Sequence, residues 1–458
     1  LEHNKDGVFY ISPFISILEQ NAKNYREALL PHLQSPQINS LVLEHHSNIL
    51  REEEGDQTET EDRYNYLSSN WSAPIVLTTM VQFLNTLFSS NSQNLRRLHS
   101  LRNSVIIIDE FQAVPVRCQT LFNLAINALS QFYGATIVLC TATQPPFEEN
   151  IYDQYSSGKV VPKIEMQTKP DLTSDYSNAK GFERTLIRDR CRLEGYNQAQ
   201  LAELVVERLK NEESLLVIFN TRRTVDKLYQ EIMQSYNDQL SDIVVCVLSN
   251  NMIPAHRLQV LANIRKDLGE KRVLCISTQL IEAGVDISFS GVIRSLAGLD
   301  SITQSAGRCN RHGEKKIGEV WIVNPTDDLE NLSKLREIKS AQNAAEPILN
   351  DFTKNPGKYN NKLLDTEAIK SYFKAYFSQN ATETHYPVHL EKERIDTTLY
   401  RLLGSHQEGV KAYHNRNKSM PDHIALNQAF RTAGEYFRPI EDISTSLLVP
   451  WEKGKEII

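Results

Sequence analysis

Four stretches of the chain combine residue types that handle phosphate chemistry. The apolar run Ser104-Val105-Ile106-Ile107-Ile108 ends in Asp109-Glu110, which places two carboxylates at the carboxyl edge of a buried strand, where open α/β sheets bind ligands. An acid there suits Mg²⁺, a hard cation that takes oxygen ligands and neutralises charge on nucleotide phosphates, and a second acid can polarise attacking water. Asp109 is therefore the candidate metal ligand and Glu110 the candidate general base, although two acids also end a strand where a chain simply turns into solvent. A second run, Ile137–Cys140, exits into Thr141-Ala142-Thr143-Gln144-Pro145, whose hydroxyls could sense the phosphate end and relay it to bound strand. In a third, Cys275-Ile276-Ser277-Thr278 leads through Glu282 and Gly284 to Asp286. The fourth, Gln304-Ser305-Ala306-Gly307-Arg308-Cys309-Asn310-Arg311, is expected to present two arginines three apart on one helix face. Arginines offered by a second domain can stabilise charge on a transferring phosphoryl group.

The elements that must position these residues alternate. Strands are expected at Val8–Ile11, Ile75–Leu77, Val105–Ile108, Ile137–Cys140, Leu215–Phe219, Val244–Leu248, Val273–Ile276 and Val320–Val323. Helices are expected at Ile15–Leu30, Cys118–Phe132, Gln198–Leu209 and Val225–Tyr236. Apolar strands separated by helices predict an α/β fold with parallel sheets of right-handed βαβ units. A stretch poor in periodicity from Pro145 to Arg184 divides two sheets. After Asn324 the β runs are expected to stop in favour of helices at Leu329–Phe352 and Thr366–Tyr376, followed by a polar stretch from Thr382 to Pro421. Ser446–Pro450 reads as the first strand of something further. The expected domains are 1–180, 181–325, a helical linker at 326–430 and the start of a C-terminal domain at 431–458.

Composition narrows the classes. Hydrophobic residues make up 40% and charged residues 23% of 458, ordinary for a globular protein and unlike a disordered or fibrous one. A net charge of −7 argues against coating nucleic acid or membrane over the whole surface, while leaving room for a basic groove. Six scattered cysteines read as buried thiols of a reducing cytoplasm rather than a zinc site. No apolar run reaches the length of a membrane span. The acidic segment Glu52–Asp62 reads as a solvated loop.

In this order, D-E-x-x, T-A-T, S-T-x-x-x-E-x-G-x-D and Q-x-x-G-R-x-x-R resemble motifs II, III, V and VI of superfamily 2 helicases, on two tandem RecA-like domains. Tyr10-Ile11-Ser12-Pro13-Phe14, Leu43-Glu44-His45-His46-Ser47-Asn48, Asp109-Glu110-Phe111-Gln112, Thr141-Ala142-Thr143-Gln144-Pro145-Pro146 and Ala306-Gly307-Arg308-Cys309-Asn310-Arg311-His312-Gly313 are similar to the CRISPR-associated helicase-nucleases of type I interference. Gln112 in D-E-x-Q points to the type I-C branch. The resemblance implies ATP-driven, 3′-to-5′ movement on single-stranded DNA, an HD nuclease domain acting on the reeled strand, and recruitment by an RNA-guided surveillance complex. It also implies a cytoplasmic monomer open to viral anti-CRISPR inhibitors.

Carried over by position, Asp109 and Glu110 serve Mg²⁺ and water, Gln304, Arg308 and Arg311 serve the γ-phosphate of ATP, and Thr141 and Thr143 couple the two activities. Gly284 and Asp286 line the interdomain cleft. DNA backbone contacts fall on Pro13, Ser47, Thr78, Thr79, Thr221, Arg222, His256 and Thr278, although Thr78-Thr79 could equally cap a helix.

Two departures stand out. The chain contains no G-x-x-x-x-G-K-[ST] and no His-Asp dipeptide. A phosphate loop and nuclease domain are expected to precede Leu1, and the C-terminal domain to continue after Ile458. The chain alone is then expected to hydrolyse ATP negligibly. Alternatives are another superfamily 2 DNA or RNA helicase, or a non-hydrolysing module that binds DNA or docks a partner.

Overall fold

The computed structural model describes residues 4–33, 38, 40–46, 57–152, 160–165, 184–249, 252–282, 284–392, 394–404, 407–419 and 428–440. Two all-parallel sheets form its framework. The first, in the order β2-β3-β1-β4-β5, comprises β1 (Val8–Ser12), β2 (Val42–His45), β3 (Ile75–Thr79), β4 (Val105–Asp109) and β5 (Thr136–Cys140). After a short hairpin of β6 (Ile151–Tyr152) and β7 (Val160–Val161), the second sheet uses β8 (Thr185–Asp189), β9 (Ser214–Phe219), β10 (Ile243–Leu248), β11 (Arg272–Thr278), β12 (Gly291–Ser295) and β13 (Gly318–Val323). Its order is β10-β11-β9-β12-β13-β8. Because every pairing in the two sheets is parallel, the carboxyl ends of all strands in a sheet share one edge.

The apolar runs become strands where helices cover them. In β9 all six residues are buried, between neighbours β11 and β12 and beneath flanking helices. The edge strand β5 is only half-buried despite its Ile-Val-Leu sequence. Local signals set the helix starts: Asn197 and Gln200 form a reciprocal capping box before Gln198–Leu209, and Pro254 occupies the first turn of Pro254–Asp267.

Strands β2, β8 and β12 were not anticipated from sequence. In β12 the pattern Gly-Val-Ile-Arg-Ser hides its burial behind Arg294, which is fully enclosed. Three expectations are corrected. Beyond Asn324 the β structure resumes as an antiparallel hairpin, β14 (Pro387–Leu390) with β15 (Ile395–Thr398), so 326–430 is not purely helical. The stretch from Thr382 also holds helices Leu399–Leu403 and Gln407–Asn417. The helix expected from Leu329 starts at Arg336, because Leu329 and Leu332 are buried in a turn and Glu330 is tied to β9 and β12 neighbours. The acidic segment is helical from Gln57 onward, within Gln57–Asn70. Ser446–Pro450 lies outside the described residues.

Candidate nucleotide site between two sheets

At the edge of the first sheet, Asp109 closes β4. Its Oδ2 accepts a hydrogen bond from the Tyr10 hydroxyl at 2.5 Å and its Oδ1 accepts from the Glu110 backbone N–H at 3.0 Å. Glu110 sits in left-handed backbone at φ 49°, a conformation that a non-glycine residue adopts at a cost and that clusters at functional sites. Gln112 donates its amide to the Glu110 carboxylate, and the Thr141 hydroxyl lies within hydrogen-bond distance of the Gln112 amide oxygen. Thr141 Oγ1 also accepts from the Thr143 N–H at 3.0 Å. Gln112 thus joins the acid pair to the threonine turn, a connection that sequence reasoning missed because glutamine there had served only as a subtype mark.

Burial holds the Glu110 carboxyl above its ordinary range; the Gln112 amide opposes that, Asp109 adds to it, and Arg308 and Gln304 oppose it from the second sheet's unit. A carboxyl so raised has the character of a general base.

The edge of the second sheet is built differently. Arg308 is buried and donates through Nε to the Ile281 carbonyl at 2.9 Å and through Nη2 to the Glu282 carbonyl at 2.6 Å. Burial and the neighbouring Arg311 push its pKa down to about 10. Glu282 carries the third motif's only unassigned acid. It pairs with Arg294 at 2.7 Å and accepts from Ser301 at 2.8 Å and Ser305 at 2.9 Å, both on helix Leu299–Ala306. The expected pairing of Arg308 and Arg311 on one helix face is corrected: the helix ends at Ala306, Gly307 caps it, and Asn310 at φ 49° turns the chain. Arg311 instead makes a half-exposed ion pair with Asp286 at 2.8 Å. Exposed pairs of this kind contribute about 0–1 kcal/mol.

Gly284, at φ 72°, abuts the first unit: a Cβ there would lie 1.9 Å from Ser16 Oγ. The structure therefore brings together Asp109, Glu110, Gln304 and Arg308, with the Arg311–Asp286 pair beside Arg308.

Among the described residues no three His, Cys, Asp or Glu side chains cluster as in a protein-caged metal site. A Mg²⁺ ion that arrives with nucleotide needs only one or two carboxylates besides phosphate oxygens and water, and Asp109 with Glu110 fits that requirement.

The DNA candidates lie at the same edges. Thr78 is buried and donates to the His45 carbonyl at 2.9 Å; Thr79 caps helix Met80–Phe88 by accepting from the Gln82 N–H. Thr221 caps helix Arg222–Ser235, with Arg222 exposed in its first turn. Pro13 and His256 are partly exposed, and Thr278 ends β11 with its buried hydroxyl unpartnered among the described residues. Ser47 lies outside the described residues. Of the cysteines, Cys118, Cys275 and Cys309 are buried and the other three half-buried.

Two RecA-like parallel sheets thus carry an acid pair on one edge that faces glutamine and arginine from the unit of the other. Residues 211–314 match the family model described as CRISPR-associated nuclease/helicase Cas3, C-terminal. A CRISPR-associated nuclease/helicase Cas3 of Haloferax volcanii is 26% identical across 70% of this chain and 43% of its own length. The T. fusca Cas3-ATP crystal structure superposes with TM-score 0.61 at 14% identity, over 96% of this chain and 52% of that one. A chain of a CRISPR RNA-guided surveillance complex in a pre-nicking state gives 0.51 at 14% identity, over 95% and 54%. The chain is similar to the Cas3 helicase-nucleases and spans about half the length of these matches or less.

Proposed function

We propose that this chain supplies the motor of an ATP-dependent, 3′-to-5′ translocase on single-stranded DNA, working in type I CRISPR interference with an HD nuclease domain and an RNA-guided surveillance complex. The observation that carries the reading is the composite cleft, in which Glu110 of one sheet meets Gln304 and Arg308 of the other. When bound, Mg²⁺–ATP supplies the phosphoryl group to be transferred. Asp109 would hold the metal and Glu110 would accept the proton of the attacking water. Arg308, held by two backbone carbonyls, would stabilise charge on the phosphoryl oxygens without reorganising. Gln112 and Thr141 relay the state of that site to the edge where Thr78, Thr79, Thr221 and Thr278 would meet the DNA backbone. Contacts to phosphate rather than to bases suit a motor that must move over any sequence.

A phosphate cradle of the G-x-x-x-x-G-K-[ST] type is not in these 458 residues, and its backbone N–H nest and lysine are what fix the β- and γ-phosphates. The 458-residue chain is expected to bind single-stranded DNA but to turn over ATP negligibly. An ATPase assay on the chain with Mg²⁺ and single-stranded DNA tests this; turnover at rates ordinary for helicases would overturn it. DNA binding should weaken steeply with salt and differ little between oligonucleotides of different sequence.

A further inference from the structure

We propose that helix Thr366–Gln379 is a positioning strut that holds both sides of the Glu110–Gln304 contact, with Tyr372 and Phe377 as its positioning residues. On the second sheet's side, the Tyr372 hydroxyl donates to Asp300 Oδ1 at 2.6 Å. Asp300 lies one helical turn before Gln304 on Leu299–Ala306, so the two side chains share a face. Gly298, which precedes this helix, leaves room for that bond: a Cβ there would lie 2.2 Å from the Tyr372 hydroxyl oxygen and 2.4 Å from Asp300 Oδ1.

On the first sheet's side, the Phe377 ring lies 5.7 Å from that of Phe147, which lies 5.5 Å from Phe111, the neighbour of Glu110 in sequence. Lys374 pairs with Glu149 at 2.7 Å, and Lys370 with Glu148 at 3.7 Å. The strut is stiffened along its own length by stacked pairs Tyr372–Tyr376 and Phe373–Phe377, each four residues apart with centroids 5.8 Å apart. One helix therefore reaches, through Phe147, the residue next to the proposed base, and directly holds the helix that carries Gln304. Aromatic packing and a partly buried hydroxyl–carboxylate bond carry the grip, and the half-exposed lysine pairs fix its register.

Only the effect on turnover rests on the ATP-hydrolysis reading; the strut itself is tested without nucleotide. Spin labels at exposed Gln131 and Glu203, one on each sheet's unit, report the distance between the units in the 458-residue chain by pulsed dipolar spectroscopy. The native chain should give one narrow distribution. Tyr372→Phe, Phe377→Ala and Gly298→Ala should each broaden or shift it, while circular dichroism shows the fold retained. Lys374→Glu should broaden it slightly, and adding Glu149→Lys should restore it. A distribution unchanged in both Tyr372→Phe and Phe377→Ala overturns the strut, whatever the ATPase result.

In the full-length protein, Tyr372→Phe should lower kcat roughly tenfold, short of the roughly 100-fold that a misplacement of about 1 Å can cost, with KM for ATP unchanged. If Glu110→Gln retains turnover while the distance broadens as stated, the ATP reading fails and the strut stands.

Discussion

The two edges that meet in the cleft are held by opposite means. At the first, Asp109 accepts from Tyr10 and the Glu110 N–H, and Glu110 from Gln112 and Gln304, with Glu110 in left-handed backbone and its carboxyl raised by burial. At the second, Arg308 and Glu282 sit in a closed network with Arg294, Ser301, Ser305 and two backbone carbonyls. On the proposed mechanism, the side that would change protonation is held by fewer bonds than the side that would present fixed positive charge. Preorganised charge costs nothing at the moment of reaction, whereas a base needs freedom to gain and lose a proton.

The contrast can be broken first at its stiffest point. Arg294→Met leaves Glu282 buried without its cation and should lower stability by about 3–5 kcal/mol, read as a lower urea midpoint. Glu110→Gln removes a charge that burial already disfavours, so the same measurement should show the midpoint unchanged or raised. A comparable loss in both variants would mean that the two edges are not held differently.

A smaller effect is expected at the DNA edge, where Thr79→Ala removes a helix cap at a cost of about 1 kcal/mol. If Thr79 also meets the DNA backbone, the variant should bind single-stranded DNA more weakly at equal occupancy of the folded state; unchanged affinity leaves it a cap alone.

The gentlest test is pH. His45, half-buried and facing Arg97 with the Trp71 indole donating to its Nδ1, has its pKa pushed down by desolvation from 6.5 to about 4. The unfolded chain therefore takes up this proton below pH 6.5 while the folded chain does not until about pH 4. The contribution is whole above 6.5 and is lost as pH falls toward 4. His45→Gln should flatten the decline of the urea midpoint across that window; a slope equal to the native one would exclude this histidine as its source.

Much of this was legible in the sequence because the strands are apolar runs ending in chemistry: β4 ends in Asp109, β5 leads into Thr141 and β11 ends in Thr278, as their residues predict. What stayed hidden depends on partners distant in sequence. Arg294 interrupts an apolar run that only Glu282 makes tolerable, and β12 was missed for that reason. Helix periodicity carried on through Gly307, so Arg308 and Arg311 seemed to share a face that the Gly307 cap and the Asn310 turn divide. The grip of Tyr372 on Asp300 spans 72 residues, and no local pattern announces it.

The central claim is that Glu110 is the base of a cleft completed from the second sheet. In the full-length protein, DNA-stimulated ATP hydrolysis by Glu110→Gln should fall by about 10²- to 10⁴-fold while a fluorescent ATP analogue still binds. Turnover preserved in that variant would contradict the account.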